Sequence, residues 1–432
     1  MKTPGRSSDI SLVMAFTLRW LGTSEQELDR VAETRMRCYA HAARDLERYK
    51  EGIRADPRGV AGDFLLAEQD GIAVGTATAH SFTMWMRGAA LPCQGVAYVG
   101  TIKTHRRGSA SRSAGVATRV MHETLRLARE RGQVLSALMP FRASYYEHFG
   151  YGLVERRCDW TVPLSVLPAG AFEGVRFYEP ADLPELRLCR QRMAERGQCD
   201  VERSASMWDW TIKRSEDGFF VVDRPTSDGP VSGWTYFRHT FENGKDLLRV
   251  AEIGYDDTPA LLRLLHFLTS LRDQYSAALL TLPADVQFNR LLRETQVPHR
   301  PVNHPTAECR THTRLQLRVL DPKRLIEAMH LPMHYKGAVT VAVQECDEGE
   351  SRRSHISRFR LEIAEGRGQV TMGATAQTSS FECADTIWAA VVSGDLPATT
   401  ALRMGLATGD AAGAALLDAF AQGPAPACVE YF

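Results

Sequence analysis

The stretch from Gly108 to Met121, GSASRSAGVATRVM, sets small residues and two arginines between a strand-like run and a helical pattern. Within it Arg112, Ser113, Ala114, Gly115, Val116 and Ala117 form a turn that leads straight into the helix. Backbone N–H groups in such a turn lack intrahelical partners, and with the helix dipole they make a site for a pyrophosphate. Gly115 lets a ligand approach the backbone, while Arg106, Arg107 and Arg112 offer charge-assisted hydrogen bonds. As a bare pattern, the same residues also describe a Gly/Ser surface loop that caps an amphipathic helix. The lysine of a P-loop is missing, which disfavours a nucleotide triphosphatase.

The elements around this turn follow from hydrophobic period. Phe16 to Leu21 reads as a strand, and Ser24 with Glu27 opens a helix as a capping box. From Phe64 the period becomes two, and Asp70-Gly71 joins two strands in a tight hairpin. Val96 to Ile102 is the strand before the turn. After it Ala117, Val120, Met121, Thr124 and Ala128 recur at helical spacing, Gly132 stops the helix, and VLSALM begins another strand.

A second block repeats the order. From Phe219, the residues DGPVSG at Asp228 to Gly233 match DGIAVG at Asp70 to Gly75 in an equivalent hairpin; a strand (Leu247 to Ile253), a helix (Pro259 to Leu271) and a strand (Ala277 to Leu282) follow. This is the pattern of an internal duplication of one α/β domain. From about His312 strands alternate with C-terminal helices: Phe359, Leu361 and Ile363 point one way, Arg358, Arg360 and Glu362 the other. The expected division is a polar tail at 1–13 and domains at 14–163, 164–313 and 314–432.

Bulk properties narrow the class. A chain of 432 residues exceeds one core, and 44% apolar residues, 24% charged residues and zero formal net charge leave no basic excess for nucleic acid. Nine scattered cysteines with no CxxC pair read as reduced thiols in a cytoplasmic protein. No apolar window reaches membrane-spanning length, so no membrane partner is expected. No metal is expected either: His304 and His312 form no helical pair, and His330 and His334 sit in HLPMH without the HExxH carboxylate.

The segment SALMPFRASYYEHFGYGLVERR completes a strand, turn, helix, strand and tyrosine-bearing helix that resembles the GNAT superfamily of acyl-CoA N-acyltransferases. The combination VGTIKTHRR, GVATRVM, PF and YYEHFGYG is similar to the enhanced intracellular survival (Eis) family. That resemblance implies an α/β (α+β) chain of tandem GNAT-like acyltransferase domains, the second degenerate, followed by a sterol-carrier-protein-like C-terminal domain. It implies acetyl-CoA as cosubstrate and a primary amine as acceptor, on a small molecule such as an aminoglycoside or polyamine, or on a lysine or peptide. A homo-oligomer, the hexamer of the family, comes with it. Val99, Gly100 and Thr101 would present backbone groups to the thioester, Tyr146 would protonate the leaving thiolate, and the carboxylate of Phe432 would be the base. Without the resemblance, Tyr145, Tyr146 and Tyr151 read as packing residues. In the second block Asp256 and Asp257 stand at the matching helix start, where two carboxylates repel a pyrophosphate. The reading from another class is a non-catalytic acyl-CoA or lipid-binding sensor built on the third domain.

Overall fold

The computed structural model describes residues 16–106, 115–296, 299, 305–346, 355–373 and 380–432. The chain divides into two compact units, residues 1–80 with 96–127 and residues 81–95 with 128–432.

The first unit contains β1 (Phe16–Leu21), α1 (Glu25–Tyr39), α2 (Leu46–Ala55), β2 (Phe64–Gln69), the start of β3 (Ile72–Met86), the end of β4 (Ala89–Thr101) and most of α3 (Val116–Glu130). The strands lie in the order β1-β2-β3-β4, and β2 turns back on β3 at Asp70-Gly71, both left-handed with φ of 52° and 80°. This is the hairpin expected from the sequence. Leu65, Ala67, Val74, Ala77, Ile102 and Val120 form its core. Gly75 lets α3 lie close to the sheet, because a Cβ there would fall 2.6 Å from Val116 Cγ1. The capping box is corrected: Ser24 occupies the N-cap of α1, but its hydroxyl donates to Glu27 Oε2 (2.6 Å) instead of accepting a backbone N–H.

In the second unit the remainders of β3 and β4 are followed by β5 (Leu135–Leu138), α4 (Ala143–Glu147), β6 (Gly152–Leu153), β7 (Arg157–Pro163), β8 (Val175–Phe177), α5 (Leu183–Arg196), β9 (Gln198–Val201) and α6 (Ala205–Arg214). Next come β10 (Phe219–Asp223), β11 (Gly233–Glu242), β12 (Lys245–Tyr255), α7 (Thr258–Ser270), β13 (Ala277–Pro283), β14 (Glu308–His312) and β15 (Gln316–Val319). The chain ends in α8 (Pro322–Ala328), β16 (Gly337–Glu345), β17 (His355–Ala364), β18 (Arg367–Met372), β19 (Ser380–Ala384), α9 (Asp385–Val392), α10 (Ala398–Arg403), β20 (Ala407–Gly409) and α11 (Ala411–Leu417).

Two strands join sheets distant in sequence. β7 pairs with β13 and β14 in the sheet β14-β7-β13-β12-β11-β10-β8, whereas β15 is inserted between β5 and β6. The last sheet runs β18-β17-β16-β19-β20; in it Phe359, Leu361 and Ile363 are buried and Arg358 and Glu362 exposed, as the alternation predicts. The second expected hairpin forms between β10 and β11, but its turn is not the tight one of the first. Asp228 and Gly229 lie in a long connection from Asp223 to Gly233 and have no left-handed φ, and the tight turn is one strand later, at Asn243-Gly244 (φ 52° and 74°).

Candidate functional site

In the first unit, the residues expected to meet the cosubstrate cluster around the end of β4 and the start of α3. Val99 packs on the core, and Gly100 is required by close approach: a Cβ there would lie 2.8 Å from the Tyr39 hydroxyl and 3.0 Å from Cys38 Sγ. Thr101 Oγ1 is buried without a hydrogen-bond partner, as is Thr76 Oγ1 on β3. A buried hydroxyl left unpaired costs about 1–3 kcal/mol. Gly115 precedes α3, its carbonyl accepts the Arg119 N–H at 3.1 Å, and a Cβ on it would meet nothing within 4 Å. The first turn of α3, Val116 and Ala117 included, carries no acidic residue. Arg106 is exposed nearby in sequence. Arg107, Arg112, Ser113 and Ala114 lie outside the described residues.

The matching position in the second block is built differently. Asp257 is the N-cap of α7, and its Oδ1 accepts the Ala260 N–H at 2.8 Å. Asp256 faces Arg192 at 2.5 Å and Arg196 at 3.3 Å. One carboxylate thus occupies a helix-start donor that a phosphate would need.

In the second unit, Tyr146 is buried on α4 among Phe141, Tyr145 and Tyr151, its ring edge-to-face with that of Tyr145 at 5.0 Å. Burial pushes its phenol up to about 12, so it holds its proton throughout the neutral range. The Tyr145 hydroxyl is also buried, with no hydrogen-bond partner. Two side chains of β15 brace this short helix: Gln316 Nε2 donates to the carbonyls of Tyr151 (3.0 Å) and Ala143 (3.3 Å), and Arg318 donates to that of Phe149. Below it, Ser136 Oγ donates to Gln94 Oε1 (3.0 Å) and lies 2.6 Å from the Tyr151 hydroxyl.

Phe432 is buried in the same unit. Its ring stands edge-to-face on Phe82 of β3 at 5.0 Å, and a Cβ on Gly95 of β4 would come within 3.1 Å of it. The preceding residues are clamped by charge. Cys428 N–H donates to Glu155 (3.0 Å) while its carbonyl accepts from Arg157 (2.8 Å) and Arg314. Val429 N–H donates to Asp200 at 3.0 Å, and Asp200 is held by both terminal nitrogens of Arg190. Glu430 pairs with Arg203.

Residues 22–154 match a family model described as an acetyltransferase (GNAT) domain, and residues 199–319 match a second with the same description. The chain carries two GNAT acetyltransferase domains. At the level of its domains it is an acyltransferase. The fold agrees along nearly the whole chain: a GCN5-related N-acetyltransferase from Anabaena variabilis has a TM-score of 0.79 at 17% identity, covering 97% of this chain and 100% of that one. Eis1 from Mycobacterium abscessus gives 0.75 at 18% identity, again covering 97% and 100%. An uncharacterized N-acetyltransferase of Streptomyces avermitilis is 32% identical over 75 residues, which span 17% of this chain and 16% of that protein.

Within the first GNAT domain, the sequence singled out Tyr146 and the turn before α3 as candidates but not Gln316 or Arg318, which brace α4 from outside the segment 22–154. It also missed that Arg190, Asp200 and Arg203, at the start of the second GNAT domain or just before it, hold the last residues of the chain. Among the described residues no His, Cys, Asp and Glu group has metal-binding arrangement, and no helix is long and apolar enough to cross a membrane. The buried thiols are pushed upward by burial, Cys38 to about 11, which disfavours a thiolate nucleophile.

Proposed function

We propose that the protein is an acetyl-CoA-dependent N-acetyltransferase that uses its first GNAT domain to transfer an acetyl group to a primary amine of a small molecule or a lysine. The observation that carries this reading is the contrast between the two helix starts: α3 begins at an open glycine, whereas α7 is capped by its own Asp257. Acetyl-CoA supplies the activated acyl group. Val99, Gly100 and Thr101 present main-chain groups to its thioester end, and Gly115, Val116 and Ala117, with Arg106, Arg107, Arg112, Ser113 and Ala114 before them, hold its pyrophosphate. Fixed backbone donors suit an oxygen that gains charge during transfer. Tyr146 hands its phenolic proton to the departing sulfur. Phe432 takes the proton of the attacking amine on its main-chain carboxylate, a group ionised at neutral pH.

The reading extends to the Eis-like architecture, with a sterol-carrier-like third domain, a cytoplasmic location and assembly into a hexamer. Appending residues after Phe432 tests it against the sensor alternative. Turnover should fall while acetyl-CoA binding stays within twofold; unchanged turnover would remove the carboxylate from the mechanism, and binding with no turnover in the native chain would favour the sensor.

A further inference from the structure

We propose that the acceptor amine carries a carboxylate of its own, an amino-acid-like substrate, and that Arg35 binds that carboxylate beside the Tyr98 ring. The proposal rests on the acetyl-transfer reading and names the acceptor class.

Arg35, in α1, is only 4% exposed. Its Nη2 donates to Thr78 Oγ1 at 2.5 Å, and its Nε is buried with no hydrogen-bond partner. Among the described residues no carboxylate forms an ion pair with it. Asp56, the carboxylate whose charge reaches it, is occupied by Arg58, with Nε and Nη2 both 2.7 Å from its oxygens. A buried guanidinium with no carboxylate partner is costly, and a planar fork whose Nε is unpaired matches a carboxylate in two-point fashion.

The surroundings suit a small organic anion. Arg35 Cζ lies 3.8 Å from the Tyr98 ring centroid and 5.6 Å from that of Phe64, a stacking that holds the fork in one plane. Tyr98 takes a left-handed φ of 52° inside β4, a strained conformation for a tyrosine of the kind that gathers at ligand clamps. Tyr98 and Tyr39 are each 42% exposed, an aromatic rim for the acceptor's carbon skeleton. Facing groups add no negative charge: Arg58 balances Asp56, and buried His80 has its proton affinity lowered, so it is neutral at pH 7. A purely cationic acceptor meets repulsion here, whereas an amine with a carboxylate supplies the missing anion.

The test compares lysine with cadaverine, and phenylalanine with phenethylamine, in each pair the same amine with and without the carboxylate. Native protein should acetylate the carboxylated member with at least tenfold higher kcat/KM. Arg35→Gln should reduce that preference to less than threefold, chiefly by raising KM for the carboxylated amine. Calorimetric titration of lysine and phenylalanine without acetyl-CoA separates this site from the transfer reading: binding to native protein that Arg35→Gln abolishes supports the site even if no turnover occurs. Thermal melting guards against misfolding, because removing an unpaired buried charge in Arg35→Met should leave the melting temperature unchanged or raised. Failure of native protein to bind either carboxylate, a preference for the decarboxylated amines, or a preference that survives Arg35→Gln overturns the proposal.

Discussion

Arg203 and Glu430 form an ion pair of 2.5 Å with both side chains nearly withdrawn from solvent. Arg203 also grips Glu252 through both terminal nitrogens (3.2 and 3.0 Å) and lies over the Trp208 ring at 4.5 Å. The second GNAT domain thereby fixes the residues that lead to Phe432, which gives a domain with a self-capped α7 a structural task.

Removing this cation should be severe. Arg203→Met leaves Glu430 with Arg190 at 3.8 Å and Glu252 with the Trp234 N–H at 2.9 Å, and breaking a buried pair on one side costs about 3–5 kcal/mol. Denaturant unfolding should show that loss. At a denaturant-free temperature where the variant remains folded, turnover should fall while acetyl-CoA affinity holds.

Gly95→Ala should act on the other side of the tail. A Cβ there would lie 2.2 Å from the Phe82 ring and 3.1 Å from that of Phe432, so the two rings must move apart. Overpacking of this kind costs about 1–3 kcal/mol. The expected outcome is a lowered unfolding midpoint together with reduced turnover, and normal kcat in a well-folded Gly95→Ala protein would contradict the role given to Phe432.

Tyr146→Phe keeps the ring packing of α4 and deletes only the hydroxyl. Loss of a positioned acid typically lowers turnover about 10²- to 10⁴-fold. Steady-state kinetics should show that fall in kcat with acetyl-CoA binding retained, because the ring's contacts with Phe141, Tyr145 and Tyr151 survive.

His80 makes stability depend on pH in a defined window. Burial, followed by the nearby Arg58 charge, lowers it from 6.5 to about 4. Its contribution is fully present above pH 6.5. As pH falls through that value the unfolded chain takes up a proton that the folded chain refuses, and stability drops until the folded histidine also titrates near pH 4. The shift corresponds to about 3 kcal/mol. Unfolding free energies measured between pH 7 and 4 should show this decline, and His80→Gln should flatten it.

What the sequence revealed was local. Period-two runs and the Asp70-Gly71 dipeptide gave the first hairpin, and the helical recurrence from Ala117 to Ala128 gave α3, because these signals are carried by neighbours along the chain. The Arg87-Gly88 turn between β3 and β4 went unseen: its left-handed arginine (φ 48°) is outside the usual turn vocabulary. The placement of β7 and β15 in their sheets was equally hidden, since alternation reports which face is buried and never which strand lies alongside. Tyr146 and Phe432 were singled out as candidates through a family resemblance. Their supports, Gln316, Arg318, Arg203 and Asp200, belong to no motif and become visible only when residues far apart in sequence meet. Arg35 sits in an unremarkable helix in the sequence, and its importance comes from the carboxylate that it lacks.

Acetyl transfer itself is tested most directly by incubating the native chain with acetyl-CoA and a panel of amines, including lysine, lysine peptides, polyamines and aminoglycosides, and measuring free thiol release alongside the mass of the acceptor. Amine-dependent thiol release matched by an acetylated acceptor is the expected result. Tight acetyl-CoA binding with no thiol released above the amine-free rate for any acceptor would contradict it.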